Sequence, residues 1–150
     1  MKYAIFIFFV NISCSAFASV DVKISLNEKA TRGVTVMVSI ANDLGRKLCI
    51  NSAALGLDGQ ISDPIFVVEK DGEGVDFSGI REIRSIQPER SYVILMPGQE
   101  IKVSHDLSNY YNFLVPGNYK IRFETLSIGN CPGESGGVEL KSNSVYFFKK

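Results

Sequence analysis

The stretch Leu114–Phe123 reads LVPGNYKIRF and joins a turn to the start of a strand. Pro116 and Gly117 are residues that favour a tight turn. In the segment that follows, apolar residues alternate with polar ones, so one face of the segment is apolar and the other is polar. The apolar members are Tyr119, Ile121 and Phe123. This period of two predicts a half-buried β-strand.

Tyr119 holds a particular place in this stretch, because it lies two residues after the turn glycine, Gly117. A tyrosine at this point predicts a tyrosine corner, in which the ring lies in the core of an immunoglobulin-like sandwich and the hydroxyl bonds to upstream backbone. The alternative is an ordinary core aromatic. Both interpretations require a strand at this position.

The same alternation recurs along the chain between turn pairs such as Asp71-Gly72 and Pro97-Gly98. The predicted strands cover 19–26, 34–40, 47–51, 65–68, 75–77, 92–95, 101–105, 118–123 and 138–148, the last bent near 142–143. Residues 78–91 are predicted as a surface connection, and 106–112 as a crossover with one helical turn. About seven to nine short strands predict an all-β fold, an Ig-like antiparallel β-sandwich. A small β-barrel is the alternative.

The N-terminus has the pattern of a secretory signal peptide. Lys2 precedes the apolar run Tyr3–Val10, and an A-x-A sequence ends at Ala18. We therefore predict cleavage between Ala18 and Ser19, and a secreted or periplasmic protein. A membrane anchor would need about 20 apolar residues. Asn11 interrupts the run early, so we expect no membrane insertion after signal removal.

One domain, residues 19–150, then remains with two cysteines, Cys49 and Cys131. A cysteine pair in an exported chain predicts a disulfide, and two buried thiols are the alternative. Closing a loop of about 80 residues contributes about 4.5 kcal/mol in the chain-entropy model. Cys14 is expected to leave with the signal, since Asn11 stands where a lipobox requires an aliphatic residue.

The sequence shows little catalytic chemistry. It carries 16 basic and 16 acidic residues with zero net charge, which argues against a nucleic-acid partner. Ser135 lies in a G-x-S-x-G match, but that motif requires a strand-to-helix elbow and a histidine. A strand is predicted after Ser135, so a serine hydrolase is a remote alternative. His105 is the single histidine and is predicted at a surface or loop end. We expect no enzyme activity, metal or cofactor.

Two further segments contain apolar residues that either pack in the core or form a binding surface. Tyr110, Tyr111 and Phe113 either close the end of the sandwich or form a binding surface. The loop 52–60, with Leu55 and Leu57 among its apolar residues, either caps the core or forms a docking patch. Packing is the favoured interpretation of both segments.

Turn and core residues between Leu55 and Val145 follow the order and spacing of a known module. They include Gly56-Leu57, Ile65-Phe66-Val67-Val68, Asp71-Gly72, Phe77-Ser78-Gly79-Ile80, Tyr92-Val93-Ile94-Leu95, Pro97-Gly98, Asp106-Leu107-Ser108, Pro116-Gly117, Tyr119 and Ser142-Asn143-Ser144-Val145. This set resembles the non-catalytic N-terminal β-domain of bacterial deuterolysin-type (peptidyl-lysine) zinc endopeptidases.

The resemblance carries over no catalytic residue, since the sequence has no H-E-x-x-H motif. It implies a protein-binding module whose partner is a peptidase, acting as an inhibitor or as a propeptide-like folding helper. A surface or structural assembly subunit is the alternative.

Overall fold

The computed structural model describes residues 19–27, 33–52, 55–57, 60–61, 63–79, 92–125, 131 and 138–150. In these ranges the chain is an all-β sandwich, as the alternating patterns predict. Its strands are β1 Val20–Leu26, β2 Thr35–Asn42, β3 Leu48–Asn51, β4 Phe66–Lys70, β5 Glu73–Gly74, β6 Tyr92–Leu95, β7 Glu100–Asp106, β8 Gly117–Thr125 and β9 Leu140–Lys149. A single 3-10 turn, Leu107–Asn109, lies in the predicted crossover, and no helix of the described ranges is long and apolar enough to span a membrane.

The strands form three antiparallel sheets. The first has the order β1-β2-β7, the second is the pair β3-β6, and the third has the order β5-β4-β8-β9. Val38 faces Val103 across the first sheet, and Tyr119 faces Phe147 across the third. Because each sheet keeps open edges among the described strands, they do not close, and the small-barrel alternative is wrong for this part of the chain.

The core lies between the sheets and takes alternate residues from their strands. The ring of Phe66 in β4 lies 5.5 Å from that of His105 in β7, which shows that the first and third sheets face each other. The apolar face predicted for β8 is buried there, together with one face of β2. The most buried of these side chains are Val36, Val38, Ile40, Tyr119, Ile121 and Phe123. Burying such a side chain stabilises the fold by about 1.5–3 kcal/mol.

The hairpin between β4 and β5 turns earlier than predicted. Asp71 and Gly72 both have positive φ angles, 50° and 93°, which is the signature of a two-residue type I′ turn. The return strand therefore begins at Glu73, directly opposite Lys70. The predicted strand 75–77 is wrong in its position, since Phe77 forms only an isolated bridge, to Tyr111.

β9 contains a bulge at the place where the sequence predicts a bend. Ser142 and Asn143 together stand opposite the single residue Phe123. The Phe123 amide donates to Ser142 Oγ at 3.0 Å, which satisfies a backbone group that the bulge leaves without a ladder partner. Asn143 Oδ1 accepts from the Ile24 amide at 2.8 Å, and its Nδ2 donates to the Ile24 carbonyl at 3.1 Å. The side chain of Asn143 thus links β9 to β1 in another sheet.

The hydroxyl of Tyr119 donates to the Val115 carbonyl at 2.7 Å. We expect Tyr119→Phe to lower the free energy of unfolding by about 1–2 kcal/mol, because the ring stays packed while a carbonyl loses its partner. Urea unfolding of the two proteins measures the difference. Tyr146→Phe is the control, since its ring is largely exposed, and should stay within about 0.5 kcal/mol of wild type. Equal stability of all three proteins would contradict the structural role of this hydrogen bond.

Candidate functional site

Aromatic residues close one end of the sandwich. Tyr111 and Phe113 are buried, which confirms the packing interpretation for these two rings. The Tyr111 hydroxyl donates to the Phe66 carbonyl at 2.6 Å, and burial raises the pKa of Tyr111 to about 12. Tyr110 is half-buried and stacks on Phe77 at 5.9 Å. These rings therefore close this end of the core.

The aromatic contacts continue from these rings into the third sheet. The ring of Phe113 lies 5.2 Å from Tyr119 and 5.9 Å from Phe147 in β9. Tyr119 and Phe147 are stacked with their centroids 5.2 Å apart. Packed aromatic pairs contribute about 0.5–1.5 kcal/mol each beyond their burial. The packed rings thus give a rigid base to the loop between Phe113 and β8, which crosses this end of the sandwich.

That loop carries an apolar tip, which we define as Leu114 and Val115. Leu114 is 88% exposed, although it directly follows the buried Phe113. Its amide donates to Asn112 Oδ1 at 3.0 Å, and the Val115 carbonyl accepts the Tyr119 hydroxyl. These bonds hold the backbone of the tip, and an ordered backbone loses little further entropy when a partner covers it.

A second exposed apolar feature lies on the outer face of the third sheet. Tyr146 is 69% exposed and Phe148 is 61% exposed, and these alternate residues of β9 share one face. They lie opposite Lys120 and Asn118 of β8. We call Tyr146 and Phe148 the β9 patch. Exposed aromatic residues are enriched in protein–protein interfaces, so this patch is a candidate binding surface.

The bulge decides which aromatic residues form this patch. Before it, Leu140 and Ser142 are buried, whereas after it Phe147 turns inward. An extra residue reverses the alternation of a strand. The β9 patch is not among the surfaces predicted from the sequence, although the run Val145–Phe148 contains four apolar residues in succession and therefore cannot have a polar face.

Beside the β9 patch, the outer face carries paired charges. Lys120 contacts Glu69 at 3.0 Å, and Lys141 lies 3.6 Å from Glu124. A hydrogen bond from Arg122 holds the pKa of Glu124 below its usual value. Surface pairs of this kind contribute little stability, but they leave the neighbourhood of the patch nearly neutral. An apolar surface of a partner can therefore approach the patch without covering an unpaired charge.

The two cysteines predicted to pair are brought together. The sulfur atoms of Cys49 and Cys131 lie 2.08 Å apart and their Cα atoms 4.8 Å apart, across a sequence separation of 82. The neighbours of Cys49 in β3, Leu48 and Ile50, are buried in the core. Because successive side chains of a strand point to opposite faces, Cys131 covers the outer face of β3.

We predict that the purified protein, prepared without reductant, resists alkylation by iodoacetamide until it is reduced. Reduction, or the double substitution Cys49→Ala and Cys131→Ala, should lower the free energy of unfolding by about 2–4 kcal/mol. Urea unfolding with and without reductant measures this. The double variant is the control, because reductant should not change its stability. Ready alkylation of the untreated protein would contradict the pairing.

His105 is buried, so the prediction of a surface or loop-end histidine is wrong. Only 6% of the residue is exposed, and its ring packs edge-on against Phe66. Gly56 approaches it closely with a φ of 59°, and a Cβ on that glycine would lie 3.1 Å from His105 Cε1. His105 shares its face of β7 with Ile101 and Val103. This spacing of two residues in the sequence already indicates that His105 lies on the apolar face of the strand.

Burial lowers the pKa of His105 below its ordinary value of 6.5. As pH falls below about 6.5, the unfolded chain takes up a proton that the folded protein does not, so stability should fall, by at most about 1.4 kcal/mol per pH unit. His105→Leu should remove this part of the pH dependence. Urea unfolding at pH 7.5 and pH 5.5 measures it for both proteins. An equal loss in both would show that other groups cause it.

The remaining predicted positions do not assemble a catalytic site in the part of the chain described. Ala18, Cys14 and Ser135 lie outside the described residues, and Ser19 begins them. In the described ranges no three His, Cys, Asp or Glu side chains are grouped as metal ligands. The 52–60 loop is described at three of its central residues and at its two ends, where Leu55 is buried and Leu57 is partly exposed.

Comparison with known proteins gives one relevant similarity. An extracellular protease of Aeromonas hydrophila is 31% identical to this chain over 106 residues. This chain is similar to part of a protease. The similarity covers 71% of this chain but spans only about 30% of the length of the protease. No family model matches the chain.

Proposed function

We propose that this chain is a secreted or periplasmic, non-catalytic module that binds a peptidase. The observation that carries the proposal is its similarity to about 30% of an extracellular protease. A region of that size in a protease can be a domain that accompanies the catalytic one. The sequence resemblance to the N-terminal β-domain of deuterolysin-type zinc endopeptidases names the type of peptidase we propose as partner.

The β9 patch is the surface we assign to this contact. Its two aromatic rings have the size and exposure of residues that dominate binding energy at interfaces. The paired charges around them allow an apolar partner surface to approach without leaving a charge buried and unpaired. The role is that of an inhibitor if the module covers the active site, or of a folding helper if it binds elsewhere.

The serine-hydrolase alternative has little support. It requires a histidine beside Ser135, and the single histidine of the chain, His105, is enclosed by Phe66 and Gly56. A general base must come within hydrogen-bond reach of the group that it deprotonates. One observation supports the alternative of an assembly subunit. The two exposed aromatic rings of the β9 patch, which lie on one face of the strand, also suit self-association.

The test uses the secreted protein immobilised and exposed to concentrated culture supernatant of its source organism. We expect it to retain a peptidase, identified by mass spectrometry and by zinc-dependent cleavage of casein. The double variant Tyr146→Ser and Phe148→Ser should reduce retention at least about tenfold, as expected for loss of two hot-spot residues. A changed cleavage rate of the bound enzyme indicates inhibition. A higher yield of active enzyme on refolding indicates a folding helper.

The matched control is the double variant Ile94→Ser and Met96→Ser. It changes two apolar residues of similar exposure, 56% and 52%, one in β6 of another sheet and one just after that strand. It should bind as wild type does. Retention of no peptidase would refute the proposal. Size-exclusion chromatography addresses the alternative, because a dimer that the Tyr146 and Phe148 substitutions disrupt would favour an assembly role instead.

A further inference from the structure

A groove runs along the end of the sandwich between two strand edges. β1 is an edge strand of the first sheet and β9 of the third, and the described residues join them through Asn143 and Ile24 rather than by a backbone ladder. Further along both strands, toward Leu26 and Phe147, a cavity of about 230 Å³ lies between them. The two edges are therefore close at the bulge and separated beyond it.

This cavity adjoins a second one of about 380 Å³. The two share Gly33, Val34 and Lys149 as lining residues, and the second reaches Phe113 and the exposed Leu114. We call the two together the end groove. Its combined size is that of a site for two or three side chains of an extended peptide.

The lining of the end groove combines apolar walls with one positive charge. Leu26, Val34 and Phe113 supply the apolar surface. The ammonium of Lys149 is exposed at the junction of the two cavities, and no ion pair in the described ranges includes it. Other lysines of the third sheet, Lys120 and Lys141, do have acidic partners. The groove is thus suited to a ligand that brings an apolar group and a carboxylate side by side.

We propose that the end groove binds an extended segment of a partner protein that carries an acidic side chain two residues away from a large apolar one, so that both lie on one face of the segment. The apolar side chain lies between Val34 and Phe113, and the carboxylate pairs with Lys149. Beyond the bulge, the edge of β9 offers backbone groups to a strand laid beside it, which is a common mode of peptide recognition. The ordered tip residue Leu114 extends the apolar contact at one end.

This site goes beyond the proposed function, because it lies on the other side of β9 from the patch. Phe147 and Lys149 line the groove, whereas Tyr146 and Phe148 alternate with them on the outer face. A peptidase bound at the patch and a segment bound in the groove are separate contacts. An experiment can therefore disprove either one without disproving the other.

The test is NMR chemical-shift mapping on the ¹⁵N-labelled secreted protein. The probes are acetyl-Thr-Leu-Val-Asp-Val-Thr-amide and its Glu counterpart, in which the Leu and acidic side chains share one face, and each is compared with its Asn or Gln isostere. We expect the amide signals of Gly33, Val34 and Lys149 to move, and the acidic peptides to bind at least about threefold more tightly than their isosteres, as one exposed ion pair allows. Lys149→Gln should abolish that preference.

The control is Lys141→Gln, which removes an exposed lysine from the same strand and should leave the preference intact. Three results would overturn the inference: no shifts with either acidic peptide, shifts confined to Tyr146 and Phe148, or a preference that survives Lys149→Gln. Retention of a peptidase through the β9 patch together with any of these results would leave the proposed function standing and remove the groove from it.

Discussion

The amide side chain of Asn143 joins two sheets that have no backbone ladder between them. By accepting from and donating to the backbone of Ile24, it takes the place that a neighbouring strand would occupy on β1. It reaches that place because Ser142 and Asn143 form a bulge opposite Phe123. The bulge thus has two effects, since it ties the edges of the sandwich together and reverses which residues of β9 face the core.

The second effect determines the outer surface of the molecule. With the bulge, Phe147 stacks on Tyr119 inside the sandwich, and its neighbours Tyr146 and Phe148 remain outside. Without it, the inward and outward residues after the bulge would exchange places. The aromatic core at the end of the sandwich and the exposed aromatic patch are therefore two results of one insertion in the strand, and the groove between β1 and β9 begins where that insertion ends.

Much of the fold follows from the sequence because strands with one buried face carry a period of two. The strands around Val38 and Tyr119, the hairpin at Asp71-Gly72 and the bend of β9 could all be predicted. The position of β5 could not, since it depends on the φ angles that the two turn residues adopt. His105 lies on the apolar face of its strand, but its burial depends on a loop glycine, Gly56, that is distant in sequence.

The candidate surfaces were harder to predict from the sequence, because they too depend on contacts between distant parts of the chain. Alternation identifies the two faces of a strand, but the bulge changes their order within β9, so Tyr146 and Phe148 cannot be assigned to the outside without the pairing to β8. The end groove is a property of two edges that are more than 100 residues apart in the chain, and no local pattern describes it. Lys149 is distinctive only through its spatial position between Val34 and Leu114.

The link between Cys49 and Cys131 has a consequence for how proteolytic cleavage would affect the chain. It spans 82 residues, a segment that contains five of the described strands in full, β4 to β8. Once the bond has formed, a single cut anywhere within that segment leaves both pieces attached to each other. The nicked molecule can then keep its shape, and release of a separate fragment requires either a reductant or at least one further cut.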